Sequence, residues 1–246
     1  MYPSLLVLII ATEGDKFYEQ CEGQWRRRMQ HYKKVFPTLE YYFLKCKLEL
    51  DTAYEIVGDS FYVKGPESIL PGIGIKTTKA FEILSPQYDF TLRTNISSIF
   101  LMGRYFEWLK TASKTNLYAG PCEPFNAVQP LWAFGAGYTI SKDVAEKIAE
   151  SSREIKVTFA EQSGTIEDVF DDVYVGHVCL QHLNLKIQPC LVAQFLQASQ
   201  LDYLENVIDN NPNLFHIRLK LNENREKELK GHEQVYEKYV TKVRRI

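Results

Sequence analysis

The chain has 246 residues, 45% hydrophobic and 24% charged, which suits a globular protein with a sizeable core. Against 31 acidic side chains stand 29 basic ones, a net charge of −2, so the basic surplus by which nucleic-acid binders release counterions is missing and no nucleic-acid partner is expected. The five cysteines (Cys21, Cys46, Cys122, Cys179 and Cys190) are scattered with no CxxC pair, which excludes a zinc ribbon or disulfide framework and fits a reducing compartment.

The first element is the apolar run 4–11, which is too short to cross a bilayer and has neither a basic flank nor a cleavage site. It reads as a central parallel strand buried on both faces, followed by the loop Thr12, Glu13, Gly14, Asp15. Asp15 can cap a helix over 16–36, with Trp25, Met29, Tyr32 and Phe36 on one stripe and Pro37 ending it. The run Arg26, Arg27, Arg28 within it is either a phosphate contact or a solvated helix face. Strands follow at 40–46 and 54–57, then a loop marked by Gly65, Pro66, Pro71 and Gly72 and a helix over 75–84. A strand over 89–93 leads into the turn 94–98 and a helix over 99–110.

The middle of the chain holds a Pro-rich loop, the segment 132–138 and a helix over 142–151 capped by Ser141. Glu167, Asp168, Asp171 and Asp172 cluster before a segment reaching His182. Strand-like stretches lie at 185–189 and 214–219, and the tail from 222 reads as a charged amphipathic helix with an acidic start and a basic end. Strands alternate with helices through the first half, so the expected architecture is α/β, a mixed and mostly parallel sheet flanked by helices with a C-terminal helix. With no repeat or clear linker, one domain over 1–246 is expected.

Ligands of open α/β sheets bind outside the carboxyl ends of the strands. Three polar segments fall at such ends: 12–15, 93–97 and 171–172. The order of Lys76 and Thr77, then Phe90 to Ser98, then Phe134 to Ser141, then Phe170 to Cys179 resembles the beta-1,3-glycosyltransferases of the GT-A fold (the galactosyltransferase and fringe-like group). That family shows a K-T-D-D-D strand end, a G-x-G-Y-x-x-S segment and an E/D-D-V-x-x-G segment in this order. Gly135 to Ser141 and Asp171 to Gly176 follow the last two patterns, and the resemblance spans about residues 5–182.

The resemblance implies an inverting transferase that moves a sugar from a nucleotide donor, UDP-linked by expectation, to a hydroxyl of a glycan or glycoprotein, with 1–110 as the nucleotide-binding half and 111–246 as the acceptor-binding half and C-terminal helix. Asp172 matches the aspartate that takes the acceptor's proton, while Asp171 beside it could instead orient the acceptor or bind a sugar hydroxyl. Thr12, Glu13 and Asp59 lie where the family handles base and ribose, and Trp132, Phe134, Gly135, Gly137 and Tyr138 where a sugar can approach the backbone and stack on rings. The alternative for the last group is a tight turn packed by aromatics. The acidic pair could likewise do no more than cap a helix start.

One motif departs. The family's D-x-D carboxylates hold Mn²⁺ or Mg²⁺ against the diphosphate, but Asn95, Ile96 and Ser97 stand in their place. Hard cations prefer carboxylate oxygens. A metal site, if any, would use Asn95, Ser97 and His216; a metal-independent site would place Lys76, Arg93, His216, Arg218 and Lys220 around the phosphates, with Thr94 in the same turn. His216 and Arg218 share a strand face by period two, whereas His177 and His182 are wrongly spaced for one helix face to hold a metal. A catalytically inactive, glycan- or partner-binding relative is the competing expectation. A dinucleotide oxidoreductase lacks its G-x-G-x-x-G loop and a serine hydrolase its G-x-S-x-G elbow. With no membrane span in the sequence, a cytoplasmic protein of viral or microbial origin is expected, or one from which an anchor has been removed.

Overall fold

The computed structural model describes residues 2–122, 132–159 and 162–243. The apolar run near the start forms strand β1 (Leu5–Ile10), with all six residues buried. It lies between β2 (Leu39–Lys47) and β5 (Phe90–Asn95), parallel to both. Helix α1 (Lys16–Val35) connects β1 to β2, and its Asp15 cap accepts from the backbone N–H of Phe17 at 2.8 Å and Tyr18 at 3.2 Å. Beyond β2 come β3 (Tyr54–Val57) and β4 (Ser60–Lys64), a hairpin whose second strand runs parallel to β2. Helix α2 (Gly72–Ile83) then returns the chain to β5.

After β5 the chain forms β6 (Ser98–Phe100), α3 (Met102–Leu109), β7 (Tyr118–Gly120), β8 (Gly137–Ser141) and α4 (Lys142–Ser151). The hairpin β9 (Val157–Phe159) and β10 (Gln162–Gly164) precedes α5 (Asp171–His177), which passes into a wider π-type turn, Val178–His182. The last elements are β11 (Gln188–Pro189), β12 (Val192–Phe195), α6 (Leu204–Asp209), β13 (His216–Leu219) and α7 (Arg225–Val235). The main sheet has the order β11-β7-β8-β5-β1-β2-β4-β3, and a small second sheet has the order β12-β13-β6. This is the mixed, largely parallel, helix-flanked sheet that the sequence implies.

Period two along β1 divides the core. Leu5, Val7 and Ile9 pack with Trp25, Met29 and Tyr32 of α1, whereas Leu6, Leu8 and Ile10 pack with Ala80 and Phe81 of α2 and Val144 and Ile148 of α4. Each such side chain contributes roughly 1.5–3 kcal/mol relative to exposure. A third cluster joins Ile99, Phe195, Leu204, Ile208, Ile217, Leu219 and Val235, and this holds the small sheet against α6 and α7.

Several expected bounds shift. The helix expected from 99 begins at Met102, because Ser98–Phe100 pairs antiparallel with β13. The strand expected to end at 93 runs to Asn95, held there by full pairing with β1. Strands β4, β7, β8 and β12 escaped the pattern reading because they are short and lack alternation. The tail helix expected from 222 begins at Arg225 and passes at Tyr236 into a π-type turn, and its buried side, with Glu228, His232, Val235 and Val240, faces the core while α7 packs on α1. Among the described residues no helix is long and apolar enough to cross a membrane.

Candidate active site

The carboxyl ends of β1 and β5 are neighbours, with Ile10 opposite Asn95. Strands on either side of β1 connect in opposite directions along the sheet, which leaves a crevice at that edge. There lies a cavity of about 480 Å³. Its lining draws Arg93, Asn95, Ile96 and Ser97 from β5 and the turn after it, Phe134, Gly135 and Ala136 from the segment before β8, and Phe170, Asp171 and Asp172 from the start of α5. Arg218, Lys220, Asn222 and Arg225 come from β13 and the entry to α7, Ile69 and Ile73 from around the start of α2, and Phe17 and Tyr18 from α1.

Arg93 is the knot of this site. It is 2% exposed, and its guanidinium donates to Asp171 Oδ1 at 2.7 Å, Asn95 Oδ1 at 3.0 Å and the Gly135 carbonyl at 2.5 Å. The other oxygen of Asp171 accepts from the Thr77 hydroxyl at 3.3 Å. Thus α5, α2, β5 and the segment before β8 are pinned by one buried cation. The Thr94 and Ser98 hydroxyls both donate to the Ala136 carbonyl, at 2.8 and 2.7 Å, and this fixes the same segment from below. Its backbone N–H groups are thereby aimed: Gly135 N donates to Asp172 Oδ2 at 2.6 Å. A Cβ on Gly135 would sit 3.1 Å from both Arg93 Nη1 and Asp172 Oδ2, so a larger residue there would press on both side chains.

Asp172 Oδ1 accepts from the Val173 backbone N–H at 3.0 Å. Burial and the neighbouring charge of Asp171 push the Asp172 carboxyl above its usual range, outweighing the opposing pull of Arg93 and the two backbone N–H groups. A carboxylate of raised proton affinity is a better proton acceptor. Asp171, tied to Arg93 and Thr77, is committed to holding the site together.

The remaining residues singled out in the sequence divide in two. Asn95, Ser97, Arg218, Phe134 and Gly135 line the cavity with Arg93, Asp171 and Asp172. Lys76 does not: it is 1% exposed, donates to the Ala11 carbonyl at 2.9 Å and pairs with Glu67. Asp59 forms a two-point ion pair with Arg26, at 2.8 and 3.1 Å, and accepts from Tyr41, so it is tied down beside α1. Thr12 and Glu13 follow β1 outside the cavity lining, and Glu13 accepts from the Tyr62 hydroxyl at 2.6 Å. His216 is buried, stacked on Phe100 at 4.3 Å and 3.2 Å from the Ser98 hydroxyl; burial, and then the charge of Arg218, push its pKa down to about 3. Trp132 packs edge-on against Phe159, Tyr138 is wholly buried beside Tyr118, and Gly137 lies against Phe100 and Thr94.

The residues that motif reading missed are Phe17, Tyr18, Ile69, Ile73, Phe170, Asn222 and Arg225. One signal was available for Asn222. The stretch 216–222 alternates His216, Arg218, Lys220, Asn222 with Ile217, Leu219, Leu221, and the structure buries all three of the latter. A second hollow of about 420 Å³, lined by residues of α2, of α4 and of the turn after it, including Lys79, Glu82, Glu146, Glu150 and Arg153, contains none of the candidates.

The turn Asn95, Ile96, Ser97 offers a divalent cation no charged oxygen. Asn95 Oδ1 is taken by Arg93, both oxygens of Asp171 and of Asp172 already accept hydrogen bonds, and Ile96 offers no side-chain oxygen. Among the described residues no group of three His, Cys, Asp or Glu is placed to hold a metal. The cavity instead gathers Arg218, Lys220 and Arg225.

The sequence matches no protein-family description and no curated protein. Its fold is similar to that of a glycosyltransferase involved in the glycosylation of the major capsid of PBCV-1, with a TM-score of 0.50 over 95% of this chain and 100% of that one, at 10% identity. Weaker likenesses are to a 4-diphosphocytidyl-2C-methyl-D-erythritol synthase from Anaerococcus prevotii DSM 20548 (TM-score 0.43, 13% identity, 76% of this chain and 88% of that one) and to the catalytic domain of Drosophila beta1,4-galactosyltransferase 7 (TM-score 0.39, 13% identity, 76% and 64%). The architecture is GT-A-like.

Proposed function

We propose that the protein transfers a sugar from a nucleotide-sugar donor, UDP-linked in the first instance, to a hydroxyl of a glycan or glycoprotein with inversion. The observation that carries this reading is Asp172. A carboxylate of raised proton affinity lines one cavity with Arg93, Asn95 and Ser97, although 75 to 79 residues separate them in the chain.

In the reaction the acceptor oxygen attacks the anomeric carbon as its proton passes to the Asp172 carboxylate. The bond from that carbon to the diphosphate oxygen breaks, and the nucleoside diphosphate departs with the electron pair. Two backbone N–H bonds fix the carboxylate's direction, and Arg93 holds Asp171 out of the way as a paired charge. Ile69, Ile73 and Phe170 supply an apolar portion of the lining for the sugar's carbon face. The shared fold with a glycosyltransferase supports the class of reaction.

The test is a thermal-shift screen of nucleotide sugars followed by a transfer or donor-hydrolysis assay on the binder. A ligand that prefers the folded state raises the midpoint by mass action. Asp172→Asn is expected to keep donor binding and to lower turnover by roughly 10²–10⁴-fold, the usual worth of a general base. Turnover within threefold of wild type would remove Asp172 from the mechanism. Donor binding with no turnover in the wild type, across acceptors, would favour an inactive binding protein instead.

A further inference from the structure

We propose that Arg218 and Lys220 are the diphosphate subsite of this cavity and replace a divalent cation there, so that donor binding needs no metal. This rests on the reading of the cavity as a nucleotide-sugar site.

The argument begins with the strand. Period two puts Arg218 and Lys220 on one face of β13 and its extension, while Ile217, Leu219 and Leu221 are buried on the other. Pairing of β13 with β6, Arg218 opposite Ser98, brings that face to the turn 95–97, where the fold's metal-binding carboxylates would stand. Both side chains line the cavity.

The second point is electrostatic. Of the other cations lining the cavity, buried Arg93 is paired with Asp171 and exposed Arg225 with Glu228. Among the described residues neither Arg218 nor Lys220 has an ion pair, and Arg218 Nε is buried with no hydrogen-bond partner. A buried donor left without a partner is costly, and an anion in the cavity would supply one. Burial and the charge of Arg93 weigh against the charged form of Arg218 and outweigh the opposing pull of Asp172 and Glu228. A doubly charged, esterified diphosphate is such an anion: the planar fork of Arg218 matches two phosphate oxygens, and Lys220 adds a mobile point charge. When the sugar–oxygen bond breaks, the same two cations stabilise the charge that develops on the leaving phosphate.

The deciding experiment is calorimetric titration of UDP, and separately of inorganic pyrophosphate, into the full chain with EDTA or with Mn²⁺. UDP affinity in EDTA is expected to stay within twofold of that in Mn²⁺. Arg218→Gln is expected to weaken it roughly 10- to 100-fold, the worth of a lost charge-assisted pair, and Lys220→Gln by several-fold. Lys220 is exposed, so its variant folds irrespective of how Arg218→Gln behaves. Arg218→Lys should fall between wild type and Arg218→Gln. Binding abolished by EDTA, wild-type affinity in Arg218→Gln and Lys220→Gln, or no binding of either ligand at millimolar concentration each overturns the proposal. If pyrophosphate binds with this dependence and UDP adds nothing, the anion subsite stands and the nucleotide-sugar reading fails. If UDP binds so but no sugar is transferred, only the catalytic reading fails.

Discussion

Replacing Arg93 by leucine tests whether one buried cation assembles the site. In the native protein Arg93 and Asp171 have side chains 3% and 5% exposed and are paired at 2.7 Å. The substitution leaves Asp171 buried beside Asp172 without its counter-charge, and frees the Gly135 carbonyl and Asn95 side chain of their donor. Breaking a buried pair from one side costs about 3–5 kcal/mol. For a chain of this length that is a fall of roughly 6–20 °C in the melting midpoint, at about 2–4 °C per kcal/mol. Urea unfolding of Arg93→Leu, Asp171→Asn and the double variant closes a cycle. Because the two residues touch, the double variant should lose less than the sum of the singles by about 1–3 kcal/mol. A loss below about 1 kcal/mol in Arg93→Leu, or additivity within about 0.5 kcal/mol, would refute the account of Arg93 as the site's organiser.

The raised pKa of Asp172 gives two linked expectations: kcat/KM should fall as the pH drops through a value above the ordinary carboxylate range, and Asp172→Asn should not lower stability at neutral pH by more than about 1–2 kcal/mol. The sign follows because a carboxyl with a raised folded-state pKa stabilises the fold as it protonates, so its ionisation at neutral pH is already a cost; a large loss of stability in Asp172→Asn would contradict this. His216 works in the opposite sense. Its folded pKa near 3 lies below the unfolded value, so stability is full above about pH 6.5 and is lost as the pH falls towards 3. Between pH 7.5 and 5 this one residue should cost about 2 kcal/mol, and His216→Phe should flatten the urea-midpoint profile by that amount; an unchanged slope would show that the ring titrates normally. Gly74→Ala should destabilise by about 1–3 kcal/mol in the same unfolding assay, because the new Cβ collides with the Ile166 carbonyl oxygen where α2 abuts the segment leading to α5.

The strongest local patterns determined the framework. The unbroken apolar run of β1, the capped and striped α1 and the alternation of strands with helices each fix a local preference, and burial needs no knowledge of distant partners to follow from them. So too the adjacency of Asp171 and Asp172 at a helix start and the shared strand face of His216 and Arg218 can be read without coordinates. What those residues do depended on partners far along the chain. Lys76 and Asp59 look, as sequence, no different from Arg93 and Arg218, yet Glu67 and Arg26 neutralise the first two away from the cavity. The short strands β4, β7 and β8 exist only because longer neighbours offer free edges, since three to five residues carry too little propensity of their own. Whether a charged side chain is a strut or a ligand contact is set by which opposite charge the fold brings within reach, and that distance is a property of the tertiary structure alone.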